Sequence, residues 1–290
     1  MRMRLGRFLV IGLGAAALTA VGLTGGTIAR SPDDAEFTRS LLGNYLAGRF
    51  AKAQLDTESA AGFYGRALAR DPQNEVLLEQ AFQMELMAGR WEQALPLAEQ
   101  LAAIQPAHRM SRFLLGLKSF KEGNHAKAEE HFKAASENPI GELTSAVAIG
   151  WTKFAAGDAA GALQAVDLPK QPEWAQFYLR YHRALIASMA GKKDDARTSF
   201  ERMFKQDSRT LRTSLAYAQH AAHQGDYKLA RKVLKDQFEK TQGEPHPLAK
   251  DMRNKIDAKQ KIGPLITTPV EGLSEVFYGL GEALTGEGGV

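Results

Sequence analysis

The chain contains no cysteine among its 290 residues. This absence excludes disulfide bonds, thiol chemistry and a lipid anchor attached to cysteine, and it leaves the redox compartment open. A strong excess of one charge is also lacking, since 37 Lys and Arg residues stand against 33 Asp and Glu residues and give a net charge of +4. A balance this mild does not indicate a nucleic-acid partner.

Sequence patterns that carry catalysis or bind metals are missing as well. No glycine precedes a Lys-Ser or Lys-Thr pair as in a phosphate-binding loop, and there is no serine nucleophile elbow. His125 and His131 are six residues apart, whereas zinc proteases place two histidines four apart on one helix face. His220 and His223 lack a third ligand nearby in the sequence. We predict that the chain is not an enzyme and holds no cofactor or metal ion.

Residues 1–30 have the pattern of an export segment. Arg2, Arg4 and Arg7 precede an uncharged run over 8–29, and a run of about 22 residues is long enough to span a bilayer as a helix. The pattern fits a cleaved signal peptide, an uncleaved membrane anchor or, as a third alternative, a buried cytoplasmic segment. In the first two cases the arginines favour the cytoplasmic side. We therefore expect a protein of the periplasm or of the periplasmic face of the bacterial inner membrane.

A local pattern recurs along the chain every 34 residues. A glycine appears in five successive intervals, and an alanine follows five residues after each of these positions and after Leu55, which occupies the first glycine slot. The glycines are Gly89, Gly123, Gly157, Gly191 and Gly225, and the alanines are Ala60, Ala94, Ala128, Ala162, Ala196 and Ala230. A period of 34 indicates a helix-turn-helix repeat, in which the glycine ends the first helix and the alanine lies where the two helices cross.

Two further positions recur in the same register. Seven residues before the glycine slot, five of six residues are small: Gly48, Phe82, Gly116, Gly150, Ala184 and Ala218. Nine residues after the slot, most are large and apolar: Tyr64, Ala98, Phe132, Val166, Phe200 and Leu234. We expect the small residues to mark the helix crossing and the large ones to fill the seam to the next repeat.

These residues resemble the tetratricopeptide repeat family. The positions that carry the resemblance in the third repeat are Leu115-Gly116, Gly123, Ala128, Phe132 and Ala135. The resemblance implies an all-α fold, a right-handed superhelical solenoid, with an array of about six repeats within 31–242. Such arrays resemble one another whatever they bind, so the resemblance indicates a fold more strongly than a function.

The register is predicted to end near residue 242. Glycine and proline punctuate 243–269, which we interpret as a connector with a short basic helix. Residues 270–290 are interpreted as the first helix of a further, incomplete repeat, because Gly288 follows Leu280-Gly281 at the repeat spacing. An incomplete repeat would be a poor cap for a solenoid, so we expect the chain to be the N-terminal part of a longer protein. A single amphipathic capping helix is the alternative.

The resemblance also implies that the first helices line a concave groove that holds a peptide. The predicted partner-binding residues are Met110, Phe113, Leu117, Phe120, Val147, Trp151, Phe154, Tyr178, Tyr181 and Leu185. They are apolar or aromatic, and the Lys and Asn clamp of the chaperone-binding members is absent. We therefore predict a scaffold that binds an apolar or amphipathic segment of another envelope protein.

Alternatives to a peptide-binding groove remain at this point. The superhelix could close tightly, so that these residues pack on each other. The partner could instead be peptidoglycan or another polysaccharide, with sugar rings stacked on Trp151, Tyr178 and Tyr181. A nucleic-acid partner is not expected, because the exported side of a membrane offers little of it, and membrane contact is expected only through residues 1–30 if these stay uncleaved.

Overall fold

The computed structural model describes residues 40–168, 170–241 and 244–286. Within these ranges the chain forms fourteen α-helices and no strand, and the predicted signal peptide or anchor over 1–30 lies outside them. The helices are α1 (Leu41–Ala53), α2 (Thr57–Leu68), α3 (Glu75–Met87), α4 (Trp91–Ile104), α5 (Arg109–Lys121), α6 (His125–Ala134), α7 (Pro139–Ala155), α8 (Ala159–Ala165), α9 (Glu173–Met189), α10 (Lys193–Gln206), α11 (Leu211–His223), α12 (Tyr227–Thr241), α13 (Pro247–Asp257) and α14 (Pro269–Gly286).

The first twelve helices form six antiparallel pairs, in which odd-numbered helices are the first helices of the repeats. Each first helix ends in a left-handed residue, with φ between 70° and 87° at the five glycines of the repeat and 60° at Leu55. At the end of α3, the Arg90 amide donates a hydrogen bond of 2.9 Å to the Glu85 carbonyl, and the Gly89 amide donates one of 3.1 Å to Leu86. This is a Schellman cap, and it satisfies carbonyls that a helix end leaves open. The predicted all-α solenoid of helical repeats is confirmed.

The repeat register continues one helix further than the sequence predicts. Lys259 lies 34 residues after Gly225 and also adopts a left-handed conformation, with φ of 51°. The Gln260 amide donates a hydrogen bond of 3.0 Å to the Lys255 carbonyl, which repeats the cap of the earlier first helices. Helix α13 packs against α11 and α12. It is therefore the first helix of a seventh unit, in which lysine occupies the glycine slot.

The two recurring size classes are packed against each other. A Cβ atom added to Gly116 would lie 2.5 Å from the Phe132 ring, and one added to Gly150 would lie 2.9 Å from Val166. The six recurring alanines are all 0% exposed. In the second repeat the sizes are exchanged, since Phe82 and Ala98 are both fully buried in one cluster. The exception at Phe82 is therefore compensated by the small residue opposite, which keeps the volume between the paired helices filled.

The segment after α13 does not form the second helix of a seventh pair. Residues 260–268, which we call the strap, contain no helix and cross the first-helix side of α11. The Gln219 side-chain amide donates a hydrogen bond of 3.2 Å to the Gly263 carbonyl, and His223 Nδ1 lies 3.0 Å from the Ile262 carbonyl oxygen. The strap thereby returns the chain to the middle of the array, where α14 begins.

Candidate functional site

Helix α14 lies across the first helices in the middle of the array. It packs against α7 and α9, and it reaches α5 and α11 through single side chains. We call the first-helix surface of α3, α5, α7, α9 and α11 the groove. The sequence pattern predicts α14 as the first helix of a further repeat, whereas in the structure its partners are these helices of the earlier repeats. The groove therefore already holds a helix of the same chain.

The floor beneath α14 is the indole ring of Trp151. This side chain is 0% exposed, and its Nε1 donates a hydrogen bond of 3.1 Å to Nδ1 of His182. Gly272 of α14 lies directly on the ring, because a Cβ atom added there would come within 2.4 Å of three indole carbons. Real Cβ atoms do not approach this closely, so any side chain at this position would lift the helix from the floor.

A second contact joins a tyrosine to the backbone of α14. The Tyr178 hydroxyl donates a hydrogen bond of 2.5 Å to the carbonyl oxygen of Val276. A Cβ atom added to Gly279 would lie 3.0 Å from the Tyr178 ring. Leu273 and Val276 are buried between these contacts. The helix is thus held by one face that combines two glycines with two apolar side chains.

One edge of α14 carries an ion pair. Glu275 accepts hydrogen bonds from Arg212 of α11, at 3.1 Å from Nε and 2.5 Å from Nη2, and one of 3.0 Å from the Tyr181 hydroxyl. The Glu275 side chain is only 15% exposed. A two-point contact between guanidinium and carboxylate is stronger and more directional than a single hydrogen bond. Arg212 also lies 4.0 Å above the Tyr278 ring, so it covers two residues of α14.

The aromatic side chains around this pair are neutral. Burial, followed by the charge of Glu275, raises the pKa of both Tyr178 and Tyr181 above the usual range of tyrosine. Burial, followed by the charge of Arg212, lowers the pKa of His182 to about 3. The neutral imidazole accepts the Trp151 proton through Nδ1, while its Nε2 has no hydrogen-bond partner in the described part of the chain. Both tyrosines are therefore donors and His182 is an acceptor.

The groove is open on the side of the earlier repeats. An apolar cavity of about 440 Å³ lies between α3, α5 and α7, and Phe277 of α14 closes one end of it. The Phe277 ring meets the Phe113 ring edge to face, with 5.8 Å between their centroids. The other residues that line the cavity are Leu86, Trp91, Arg109, Met110, Leu114, Leu117, Ile140 and Thr144.

The predicted partner-binding residues divide between these two parts of the groove. Met110, Phe113 and Leu117 line the open cavity. Trp151, Tyr178 and Tyr181 contact α14. The others, Phe120, Val147, Phe154 and Leu185, belong to or pack on the apolar cluster that also contains Val276. That these residues bind a partner stays a prediction.

Three residues at or next to the contact between α14 and the groove are absent from the sequence-based set. Arg212 lies thirteen residues before Gly225, and this spacing from the turn glycine is the one that selects Met110 and Tyr178. The same spacing therefore identifies Arg212 when the register of repeats three to five is extended to repeat six. His182 and Glu275 carry no local signal, because their roles depend on α14 lying in the groove.

The comparison with protein families agrees with the repeat register. Residues 84–140 and 181–237 match the tetratricopeptide repeat model. These two segments carry tetratricopeptide repeats. Among solved structures, it is similar to a tetratricopeptide repeat protein from Parabacteroides merdae ATCC 43184, with a TM-score of 0.59 and 16% identity over 83% of this chain and 92% of that one. A weaker similarity, with a TM-score of 0.48 and 14% identity, covers 75% of this chain and 43% of a chain in the APC/C hetero-tetramer Cut9-Hcn1. No curated protein matches the chain.

At these identities the likeness to solved structures concerns the fold alone. Tetratricopeptide repeat arrays generally present extended surfaces that bind other proteins, without catalysing a reaction. In the described ranges no group of three or more His, Asp or Glu side chains is placed to hold a metal ion. Over those same residues, every helix is too short or too polar to cross a membrane.

Proposed function

We propose that this chain is a non-catalytic interaction scaffold of the cell envelope, whose groove binds an apolar or amphipathic helical segment of a partner protein. One observation supports this most directly: the groove already holds an amphipathic helix. Helix α14 buries Leu273 and Val276 against the groove and leaves Ser274 and Tyr278 towards solvent. This is the helix-in-groove mode of peptide recognition, here made within one chain.

The open cavity is the part of the groove that is free to receive partner side chains. Its volume of about 440 Å³ falls in the range of about 300–1,000 Å³ that is usual for ligand pockets. Phe113, Leu117 and Phe277 give it apolar walls, and Arg109 lies at its margin. We propose that apolar side chains of the partner enter here.

The polysaccharide alternative is less well supported by the geometry. Stacking on a sugar needs a free ring face, but Trp151 is fully buried and Tyr181 is covered by α14. The proposed envelope location rests on the export pattern of residues 1–30. The envelope location is therefore tested separately from groove binding.

Site-specific photo-crosslinking in cells tests this proposal. A photoreactive amino acid is introduced into the full chain at Leu117 in the open cavity or, as a matched control, at Phe238, which is 38% exposed on α12. We expect one membrane or periplasmic protein to be captured from position 117 and not from position 238. Capture of the same proteins from both positions, or of none, would contradict groove binding. A cytoplasmic partner would contradict the envelope assignment alone.

A further inference from the structure

We propose that α14 is a displaceable occupant, and that the part of the groove beneath it binds a partner helix with the same pattern. That pattern is a small residue, an acidic residue three positions later and a second small residue seven positions after the first. In α14 these positions are Gly272, Glu275 and Gly279. This inference rests on the proposed function, because it specifies which helix the groove selects.

The small residues follow from the shape of the groove. Trp151 leaves no space for a Cβ atom at Gly272, and the Tyr178 ring leaves little at Gly279. Residues seven apart lie on the same face of a helix, two turns from each other. A helix with large side chains at both positions cannot approach the floor closely enough for the Tyr178 hydroxyl to reach a backbone carbonyl.

The acidic residue follows from charge. Arg212 and the Tyr181 hydroxyl present three hydrogen-bond donors to the place that the Glu275 carboxylate occupies. With no carboxylate there, Arg212 would keep its positive charge while Tyr181 lost an acceptor in a buried site. Burying the donors of Arg212 and Tyr181 without an acceptor costs more free energy than the ion pair between Arg212 and Glu275 contributes. The groove therefore discriminates in favour of an acidic side chain between the two small residues.

The repeats can retain their own packing when α14 leaves. In the repeats of α5 and α7 the paired helices are closed by their own small and large residues, Gly116 with Phe132 and Gly150 with Val166, and these contacts do not involve α14. Helix α14 is also a weak helix by itself, because glycines lower helix stability by about 1 kcal/mol each and it contains Gly272, Gly279 and Gly281 within its length. The groove, rather than intrinsic propensity, holds it in place.

Because the strap tethers α14 to the repeats, α14 competes with any free partner helix for the groove. A segment tethered by a short linker has an effective concentration of the order of millimolar. A free helix with the same contacts would need to exceed this concentration, so α14 raises the affinity that a partner must have. Helix α14 reaches only one end of the open cavity, through Phe277, so a partner that also fills the space between α3, α5 and α7 gains contacts that α14 lacks. We infer that this additional contact allows a true partner to displace α14.

The test measures binding of a fluorescein-labelled peptide with the sequence of residues 267–286 to the full chain by fluorescence anisotropy. Three chains are compared: the unchanged chain, Gly272→Leu, which drives α14 off Trp151, and Gly281→Leu, which adds the same side chain where a Cβ atom meets nothing within 4 Å. We expect Gly272→Leu to bind the peptide about tenfold or more tightly than the other two, because its own helix no longer competes. A Glu275→Gln peptide should bind roughly tenfold more weakly than the unchanged peptide, and a Ser274→Ala peptide equally well.

Equal affinity of the three chains, or no binding by any of them, would overturn the proposal. If circular dichroism shows that Gly272→Leu has lost helix, a Glu275→Gln chain replaces it, since this change weakens α14 without adding bulk. Dimers of the unchanged chain that Gly272→Leu abolishes would instead assign the groove to α14 of a second copy, and would also overturn the proposal. If only the displacement of α14 is wrong, the peptide test fails but a partner is still crosslinked from position 117. If the proposed function is wrong, no partner is crosslinked from position 117, whether or not the peptide binds.

Discussion

The first and the later repeats place the same register position in different surroundings. Thirteen residues before the turn, Leu42 and Val76 are each 61% exposed on α1 and α3. The corresponding Tyr178 of α9 donates a hydrogen bond to α14, and the corresponding Arg212 of α11 pairs with Glu275. The repeat geometry is the same in all four cases. The burial of this position is therefore decided by the helix that lies over it, and not by the repeat itself.

The apolar core differs between the two regions in the same way. In α1 to α5 the buried residues form two small clusters, one around Tyr64 and one around Phe82. From Phe120 to Val276 they form one continuous cluster that includes α14. Contacts in the first region join helices of the same repeat or of adjacent repeats, as in an ideal solenoid. In the second region α14 and the strap connect repeats that are distant in sequence, so we expect these repeats to be more stable with α14 in place than without it.

The largest expected change in the free energy of unfolding comes from a pair of variants at the same register position. Trp151 and Gln83 both lie six residues before a turn glycine. Trp151→Ala removes a fully buried ring and the hydrogen bond to His182, and should lower the free energy of unfolding by about 3–5 kcal/mol. Gln83→Ala, in the uncovered region, should change it by no more than about 0.5 kcal/mol. Urea unfolding followed by circular dichroism measures both, and similar losses would contradict the comparison.

A second pair of variants should change stability in opposite directions. Gly272→Ala places a methyl group against the indole of Trp151, and overpacking of this kind costs about 1–3 kcal/mol. Gly281→Ala, on the same helix, adds the methyl group in open space and should stabilise the protein by up to about 1 kcal/mol, through higher helix propensity. Thermal unfolding midpoints provide the measurement. Destabilisation by both changes would show that α14 tolerates no alanine, whatever its contacts.

Acidification should weaken the covered region. Burial, followed by the charge of Arg212, lowers the pKa of His182 to about 3, and burial, followed by His223, lowers that of His220 to about 4. The folded state thus favours the neutral imidazoles, and the stability that this provides is present above pH 6.5 and is lost as the pH falls. The expected loss from His182 is about 1–2 kcal/mol between pH 6.5 and 5.

Replacement of one histidine isolates this effect from general acid denaturation. In His182→Gln the amide oxygen can accept the Trp151 proton, while the titratable group is absent. The free energy of unfolding of this variant should therefore fall less than that of the unchanged chain over the same pH interval. Parallel pH profiles for the two proteins would contradict the assignment of His182 as a buried neutral acceptor.

The repeat register was predictable from the sequence because its determinants are local. A turn needs a left-handed residue and a helix crossing needs a small one, and each leaves a periodic trace such as Gly123 and Ala128. The position of α14 was not predictable in this way. It depends on contacts such as that between Gly272 and Trp151, which are 121 residues apart. Nothing in the periodicity of either segment identifies the other.

The short basic helix predicted within 243–269 corresponds to α13, but its place in the repeat register was not predicted, for a different reason. The sequence pattern used glycine as the sign of the turn, whereas the structure requires only a left-handed backbone, which Lys259 adopts. Leu55 also occupies a glycine slot, but the first repeat is still recognisable because Ala60 follows Leu55 at the repeat spacing. After Lys259 the strap replaces the second helix, and the confirming alanine is absent.

The smallest expected effect concerns these two turns. Leu55 and Lys259 are left-handed without being glycine, a conformation that costs an L-residue roughly 1–2 kcal/mol. Leu55→Gly and Lys259→Gly should each raise the free energy of unfolding by about 0.5–1 kcal/mol, since the greater entropy of glycine in the unfolded chain offsets part of the gain. Gly89→Ala is the matched reverse change, because its Cβ atom meets nothing within 4 Å and only the backbone is strained. It should lower the free energy of unfolding by a similar amount, as measured by thermal unfolding of all three variants. If Leu55→Gly stabilises the chain and Lys259→Gly does not, the strap and α14, rather than the cap, hold the end of α13.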